Sequence, residues 1–258
     1  MTFRVSLVQQ PLAWHDAAAN RAHFDAVLAP LRGTTDLAVL PEMFTTGFTM
    51  QPGEFAEEAD GDTRAWLLEQ ARRLDAAVGG SVAVVDRGRH YNRFMLATPA
   101  GELHTYDKRH LFRMGGEHRH YSAGGHALII EFRGVRLCPL VCYDLRFPVW
   151  SRRRAGLDYD VVIYAANWPA ARRYAWQQLL RARAIENQAY CVGVNRVGDD
   201  GKGVAHLGDS VVLDFLGQPL LELGSDACVA TVPIDADAVR DWRDRFPAHL
   251  DADAFSLE

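Results

Sequence analysis

Short apolar runs of strand length alternate along this chain with stretches of helical spacing. Residues 4–9 alternate and are rich in Val and Leu, which predicts a first strand. Asp16 can cap a helix in which Phe24, Val27, Leu28 and Leu31 recur at i, i+3, i+4 and i+7, with Gly33 as its stop. Residues 36–40 form a short apolar strand that ends abruptly at Pro41-Glu42. Residues 43–59 read as loop. Asp62 then opens a helix with Leu67, Ala71, Leu74 and Val78 on one face, ended by Gly79-Gly80. A strand at 81–85 follows, then a hairpin, 92–98 and 102–106, about Pro99-Ala100-Gly101.

Beyond a strand at 128–132, the apolar run from Val135 ends at Cys142, and turn-prone residues follow at once. A run of that length, bounded by turn signals, fits a buried strand. The second half repeats the order of the first. A short helix starts near Phe147 and precedes a strand at 161–165. The next helix carries Trp176, Leu179, Leu180, Arg183 and Ala184 on one face. Strands at 190–195, 210–215, 220–223 and 228–234 and a helix at 236–245 complete it. The economical packing is an α/β fold with two sheets face to face and helices outside, a four-layer α-β-β-α sandwich in two pseudo-symmetric halves. One domain is expected over residues 1–258. The carboxyl ends of two equivalent strands, at Glu42 and Cys142, then converge where open α/β sheets hold their ligands.

The 258 residues suffice for a large core, and 48% hydrophobic with 24% charged residues is ordinary for a globular domain. The net charge of −5 works against the phosphate attraction that dominates nucleic-acid binding. Arg152-Arg153-Arg154 and Arg172-Arg173 are dense basic clusters, and they read as solvated helix faces. The first residues read directly as a strand, without the basic and apolar regions of a signal peptide, and no apolar run is long enough to cross a membrane. Cys138, Cys142, Cys191 and Cys228 lack CxxC spacing, so thiols in a reducing cytoplasm are expected. His104, His110, His118, His120 and His126 crowd between strands. None stands at a metal-ligand spacing with a Cys or Asp, so they are expected to be solvated, with no metal and no cofactor.

Three reactive groups follow strands: Glu42, Lys108 and Cys142. A thiol attacks a carbonyl or nitrile carbon as thiolate and needs a base or a nearby cation. Glu42 can take its proton and return it to leaving ammonia. Lys108 can lower the thiol pKa and neutralise the oxyanion. Backbone N–H groups after Cys142 could join it there.

Leu40-Pro41-Glu42-Met43-Phe44, Tyr106-Asp107-Lys108-Arg109-His110-Leu111-Phe112 and Cys142-Tyr143-Asp144-Leu145-Arg146-Phe147-Pro148 resemble the three signature segments of the carbon–nitrogen hydrolase (nitrilase) superfamily. The similarity extends to Tyr91-Asn92-Arg93, Asn167-Trp168-Pro169, the segment 182–187 and Gly208-Asp209-Ser210. It implies the four-layer sandwich and a triad of Glu42, Lys108 and Cys142. It also implies a second carboxylate at Glu117 bonded to Lys108, and an oxyanion hole of Lys108 with the N–H of Tyr143. Asn92 looks like a supporting position beside the substrate.

The wording around Cys142, with Asn167-Trp168-Pro169-Ala170 and Trp176, is most similar to the omega-amidase branch, which hydrolyses the terminal amide of dicarboxylic half-amides such as 2-oxoglutaramate. A nitrilase or an N-carbamoyl-amine hydrolase would use the same triad. A catalytically inactive binding protein of the same fold and a Cys–His hydrolase are the remaining alternatives. A half-amide needs a cation for its far carboxylate, and arginine suits one. Arg172 or Arg173 is the expected reader, with Trp168 and Phe112 among the aromatics lining the pocket. Arg146 is expected instead to pair with a buried carboxylate. The resemblance also implies a homodimer, with the aromatic, non-periodic tail 246–258 strapped over the partner.

Overall fold

The computed structural model describes residues 2–256. In chain order its elements begin with β1 (Thr2–Gln9), α1 (Ala17–Leu28), β2 (Leu37–Val39), the single turn α2 (Pro52–Phe55), β3 (Glu57–Glu58), α3 (Asp62–Leu74), β4 (Ala77–Asp86), β5 (Arg89–Ala97) and β6 (Leu103–Asp107). Then come β7 (Ile130–Phe132), β8 (Val135–Val141), α4 (Pro148–Ser151), β9 (Val161–Ala166), α5 (Arg173–Asn187) and β10 (Tyr190–Asn195). The last are β11 (Val197–Asp199), β12 (Ala205–Leu207), β13 (Val211–Leu213), β14 (Pro219–Glu222), β15 (Cys228–Asp235) and α6 (Ala236–Arg245).

Two large sheets result. One runs β15-β1-β2-β4-β5-β6 with β3 beside β4, the other β14-β13-β10-β9-β8-β7. In each, three parallel strands (β1, β2, β4; β8, β9, β10) are flanked by antiparallel neighbours. Strand alternation divides the apolar side chains between layers. Leu37 and Val39 enter the core shared by both sheets, with Val5, Leu7, Leu137 and Ile163. Ala38 and Leu40 face α1 and α3, against Phe24, Leu28, Leu67 and Ala71. Trp176, Leu180 and Ala184 of α5 cover the second sheet. Each fully buried Leu or Val contributes about 1.5–3 kcal/mol. This is the four-layer arrangement expected.

Three details differ. The apolar spacing that carried α3 on to Val78 is broken at Asp75, which takes a left-handed conformation (φ 50°) and caps the helix. Gly79 and Gly80 therefore lie inside β4, where neighbours press close: a Cβ on Gly80 would stand 2.7 Å from Leu40 Cβ. The last strand, β15, returns to pair with β1 over eight residues, so it closes the first sheet. Matching the sheets strand for strand sets β1 against β8 and β2 against β9. Glu42, after β2, thus corresponds to Asn167 after β9 rather than to Cys142 after β8.

Candidate active site

Three strand ends bring Glu42, Lys108 and Cys142 to one cavity of about 280 Å³. Lys108 follows β6 directly, and its Nζ donates to Glu42 Oε1 at 2.8 Å and to both oxygens of Glu117 at 3.0 and 2.9 Å. All three side chains are essentially removed from solvent, at 1%, 0% and 0% exposure. Asn92 on β5 donates to both carboxylates, at 2.8 Å to Glu42 and 3.1 Å to Glu117. Its own oxygen accepts from Ser81, which in turn accepts from the Met43 N–H. The second oxygen of Glu42 accepts the Asn167 N–H at 2.8 Å, while the Asn167 amide donates to the Glu42 carbonyl. The corresponding positions of the two halves thus grip each other across the seam. Glu117 also accepts the Phe112 N–H. Every oxygen of the two buried carboxylates is bonded, which is what makes such a group tolerable in the interior.

Cys142 begins a 3₁₀ turn, Cys142–Arg146, and has φ 44°. A left-handed non-glycine residue costs about 1–2 kcal/mol, so it persists only where its surroundings enforce it. Asp144 supplies the enforcement. Fully buried, it accepts from the Val141 N–H, Tyr106 OH, and the N–H and Nδ1 of His110 at 2.8–3.1 Å. The first N–H groups of such a turn, Tyr143 among them, have no intrahelical acceptor. The thiol donates to the Asn167 carbonyl oxygen at 3.9 Å, and Glu42 and Lys108 line the same cavity.

Burial, and then the Glu42 carboxylate, push the thiol well above its ordinary pKa, and Lys108 pulls the other way without prevailing. Lys108 thus acts on the thiol in the expected direction, against burial and Glu42. Burial opposes the Lys108 charge as well, but Glu117 and Glu42 hold its pKa above the usual value. Burial raises Glu117, against the pull of Lys108.

A carbon-nitrogen hydrolase sequence family matches residues 4–244. This chain belongs to the carbon–nitrogen hydrolases. It is 50% identical over 258 residues to omega-amidase YafV of Escherichia coli (strain K12), covering 98% of each. It is 31% identical to 2-oxoglutaramate amidase of Bacillus subtilis (strain 168), covering 97% of this chain and 98% of the other. Among solved structures, XC1258 from Xanthomonas campestris, a CN-hydrolase superfamily protein with an arsenic adduct in its active site, superposes with a TM-score of 0.98. The two are 50% identical over the whole of both chains.

The walls of the hydrolase pocket differ in part from expectation. Phe112, Tyr143, Trp168 and Arg172 line it. Asn92 does not: it is fully buried behind the pocket and holds the two carboxylates, so its assignment as a substrate contact is corrected. Arg173 is corrected too. It turns away, forked onto Asp209 at 2.6 and 2.7 Å. Arg146 reverses the expected role, lining the pocket with its guanidinium 4.9 Å over the Trp168 ring and no carboxylate partner among the described residues. Arg172 lies likewise on Phe112 at 5.1 Å. Of the clustered histidines, His110 is tied to Asp144 and stacked on Phe147 rather than solvated. Sequence reasoning missed Asn167 as a site residue, although a polar side chain ending a buried strand is the signal that singled out Glu42. It also missed β11 and β12, whose turn brings Asp200 and Lys202 to the pocket mouth.

Proposed function

We propose that this hydrolase cleaves the terminal amide of a dicarboxylic half-amide, with 2-oxoglutaramate as the type substrate, through a thioester on Cys142. Glu42 takes the thiol proton as Sγ attacks the amide carbon. Lys108 Nζ and the Tyr143 N–H receive the oxyanion, and Glu42 returns the proton to the departing ammonia. Water then attacks the thioester, gives its proton to Glu42 and releases the carboxylic acid and the thiol. Glu117 keeps Lys108 in place throughout. Because burial and Glu42 favour the protonated thiol, proton transfer to Glu42 accompanies the attack.

The observation that carries the reading is the polarity of the cavity. Its floor holds Glu42 and Lys108, with Glu117 buried behind them, while Arg146, Arg172 and Lys202 face the mouth with Asp200. A neutral amide suits the floor and a carboxylate the mouth. The two arginines lie on aromatic faces and, among the described residues, on no carboxylate, which leaves their N–H forks for a ligand. Arg146→Ala and Arg172→Ala are each expected to lower kcat/KM for 2-oxoglutaramate by about tenfold or more relative to an uncharged amide, the worth of one charged hydrogen bond. Equal effects on both substrates from both variants would overturn the assignment.

The enzyme works as a two-fold dimer in a reducing cytoplasm. Its four thiols are free, and Phe246, Leu250 and Phe255 of the tail stay 54%, 74% and 41% exposed on the single chain. Leu257, also assigned to the strap, lies outside the described residues.

A further inference from the structure

The β11–β12 hairpin supplies no reacting group, yet it gives Asp200, Lys202, Val204 and His206 to the pocket lining. Its turn is rigidly built. Asp200 Oδ1 accepts the N–H groups of Lys202 and Val204 at 2.8 and 2.9 Å, and the Gly203 N–H closes onto the Asp200 carbonyl. That ties the one acidic side chain at the mouth to its own turn. His206 adds no charge, because burial and the neighbouring Arg196 depress its pKa.

At its base the hairpin is tied by the Val197 N–H to the Gln10 carbonyl and by Arg196 to the Asp199 carbonyl, and at its tip it rests on an indole. Trp14 is wedged between Gly47, on the loop that follows Glu42, and Gly201, at the hairpin tip. A Cβ on Gly47 would stand 2.8 Å from the ring, and one on Gly201 would stand 2.3 Å from it. On the Glu42 side the wedge is anchored. Trp14 stacks on His15 at 4.4 Å and His15 on Phe55 at 3.7 Å. The His15 N–H donates to Thr46 O, and His15 Nε2 bonds Thr49 Oγ1. The loop behind the reacting end and the tip of the hairpin therefore both pack on one indole.

We infer that this hairpin is the specificity wall of the pocket: Lys202 joins Arg172 in holding the carboxylate of the half-amide, and Trp14 is the positioning residue that gauges how long the half-amide must be. The inference rests on the half-amide reading and adds to it a chain-length selector remote from the reacting groups.

Steady-state kinetics of the full chain on succinamate, glutaramate and adipamate (four, five and six carbons), with butyramide as the uncharged reference, tests it. Lys202→Met is expected to raise the KM for glutaramate about tenfold or more while kcat changes less than about threefold, with a smaller effect on butyramide; Lys202→Arg is expected to restore most of the loss. Removing the wedge lets the tip settle inward, so Trp14→Leu shifts preference toward succinamate. Gly201→Ala pushes the tip outward and shifts it toward adipamate. An unaltered enzyme that takes butyramide as readily as glutaramate overturns the half-amide reading and this inference together. An unaltered enzyme that prefers glutaramate, and keeps that preference in Lys202→Met, overturns the role of Lys202 alone. Gauge action is refuted if Gly201→Ala leaves chain-length ratios unchanged or moves them the same way as Trp14→Leu. Should Trp14→Leu fail to fold by thermal melting, Gly201→Ala decides by itself.

Discussion

In the proposed mechanism Glu42 accepts the proton of the Cys142 thiol, although its charge raises the pKa of that thiol, while Lys108 lowers it. Removing the carboxylate leaves the ammonium pull unopposed by that neighbour. Glu42→Gln is therefore expected to move the pH-dependent rise in iodoacetamide alkylation of Cys142 to lower pH, even as turnover falls by about 10²–10⁴, the usual share of a positioned general base. A rise displaced to higher pH, or turnover that survives, would contradict the assignment. Side chains at this scale were unequally legible in sequence. Glu42 and Cys142 stand where apolar runs stop, so their positions advertise chemistry. Asn92 sits inside a strand, and nothing in its neighbours distinguishes a substrate contact from a brace. Nothing in the neighbours of Arg146 and Arg173 separates their roles, and only the fold decides that Asp209 claims Arg173 while Arg146 lies on Trp168.

Elements deliver these side chains with little slack. Gly80 of β4 packs against Leu40, two residues before Glu42. Gly80→Ala forces that strand end aside, and overpacking of this kind costs about 1–3 kcal/mol. A lower melting temperature and a reduced kcat are expected together. Gly53→Ala, where a Cβ meets nothing within 4 Å, is the control and should leave both near the original values. If Gly80→Ala proves as silent as the control, the close fit of β4 behind Glu42 has no functional weight. Long periodic elements such as α1 and α5 were readable from spacing alone. The boundary of α3 was not, because Val78 continues the helical register and the left-handed turn at Asp75 leaves no hydrophobic trace. Nor were β11 and β12. At three residues each they are too short for alternation to register, and their Asp-Asp-Gly-Lys-Gly link reads as plain loop.

On the scale of the molecule, the apolar tail and its neighbours are exposed on a single chain: Phe246 and Leu250 beyond α6, with Val149 on α4 and Ile185 on α5 at 50% and 55%. Leu250→Asp is expected to convert a species of twice the chain mass into one of single mass in sedimentation velocity. A single-mass species for the unaltered protein would dismiss the dimer. The pairing of sheets was legible because both halves carry the same order of elements. The strand-for-strand match was not, since β15 crosses back to β1 and chain order conceals it. The mutual grip of Glu42 and Asn167 makes the reaction centre common property of two structural repeats, neither of which holds a working fragment of it. A loosened seam silences the enzyme while each repeat still keeps its own hydrogen-bonded strands, so the chemistry reports on how the halves are joined rather than on how well either is made.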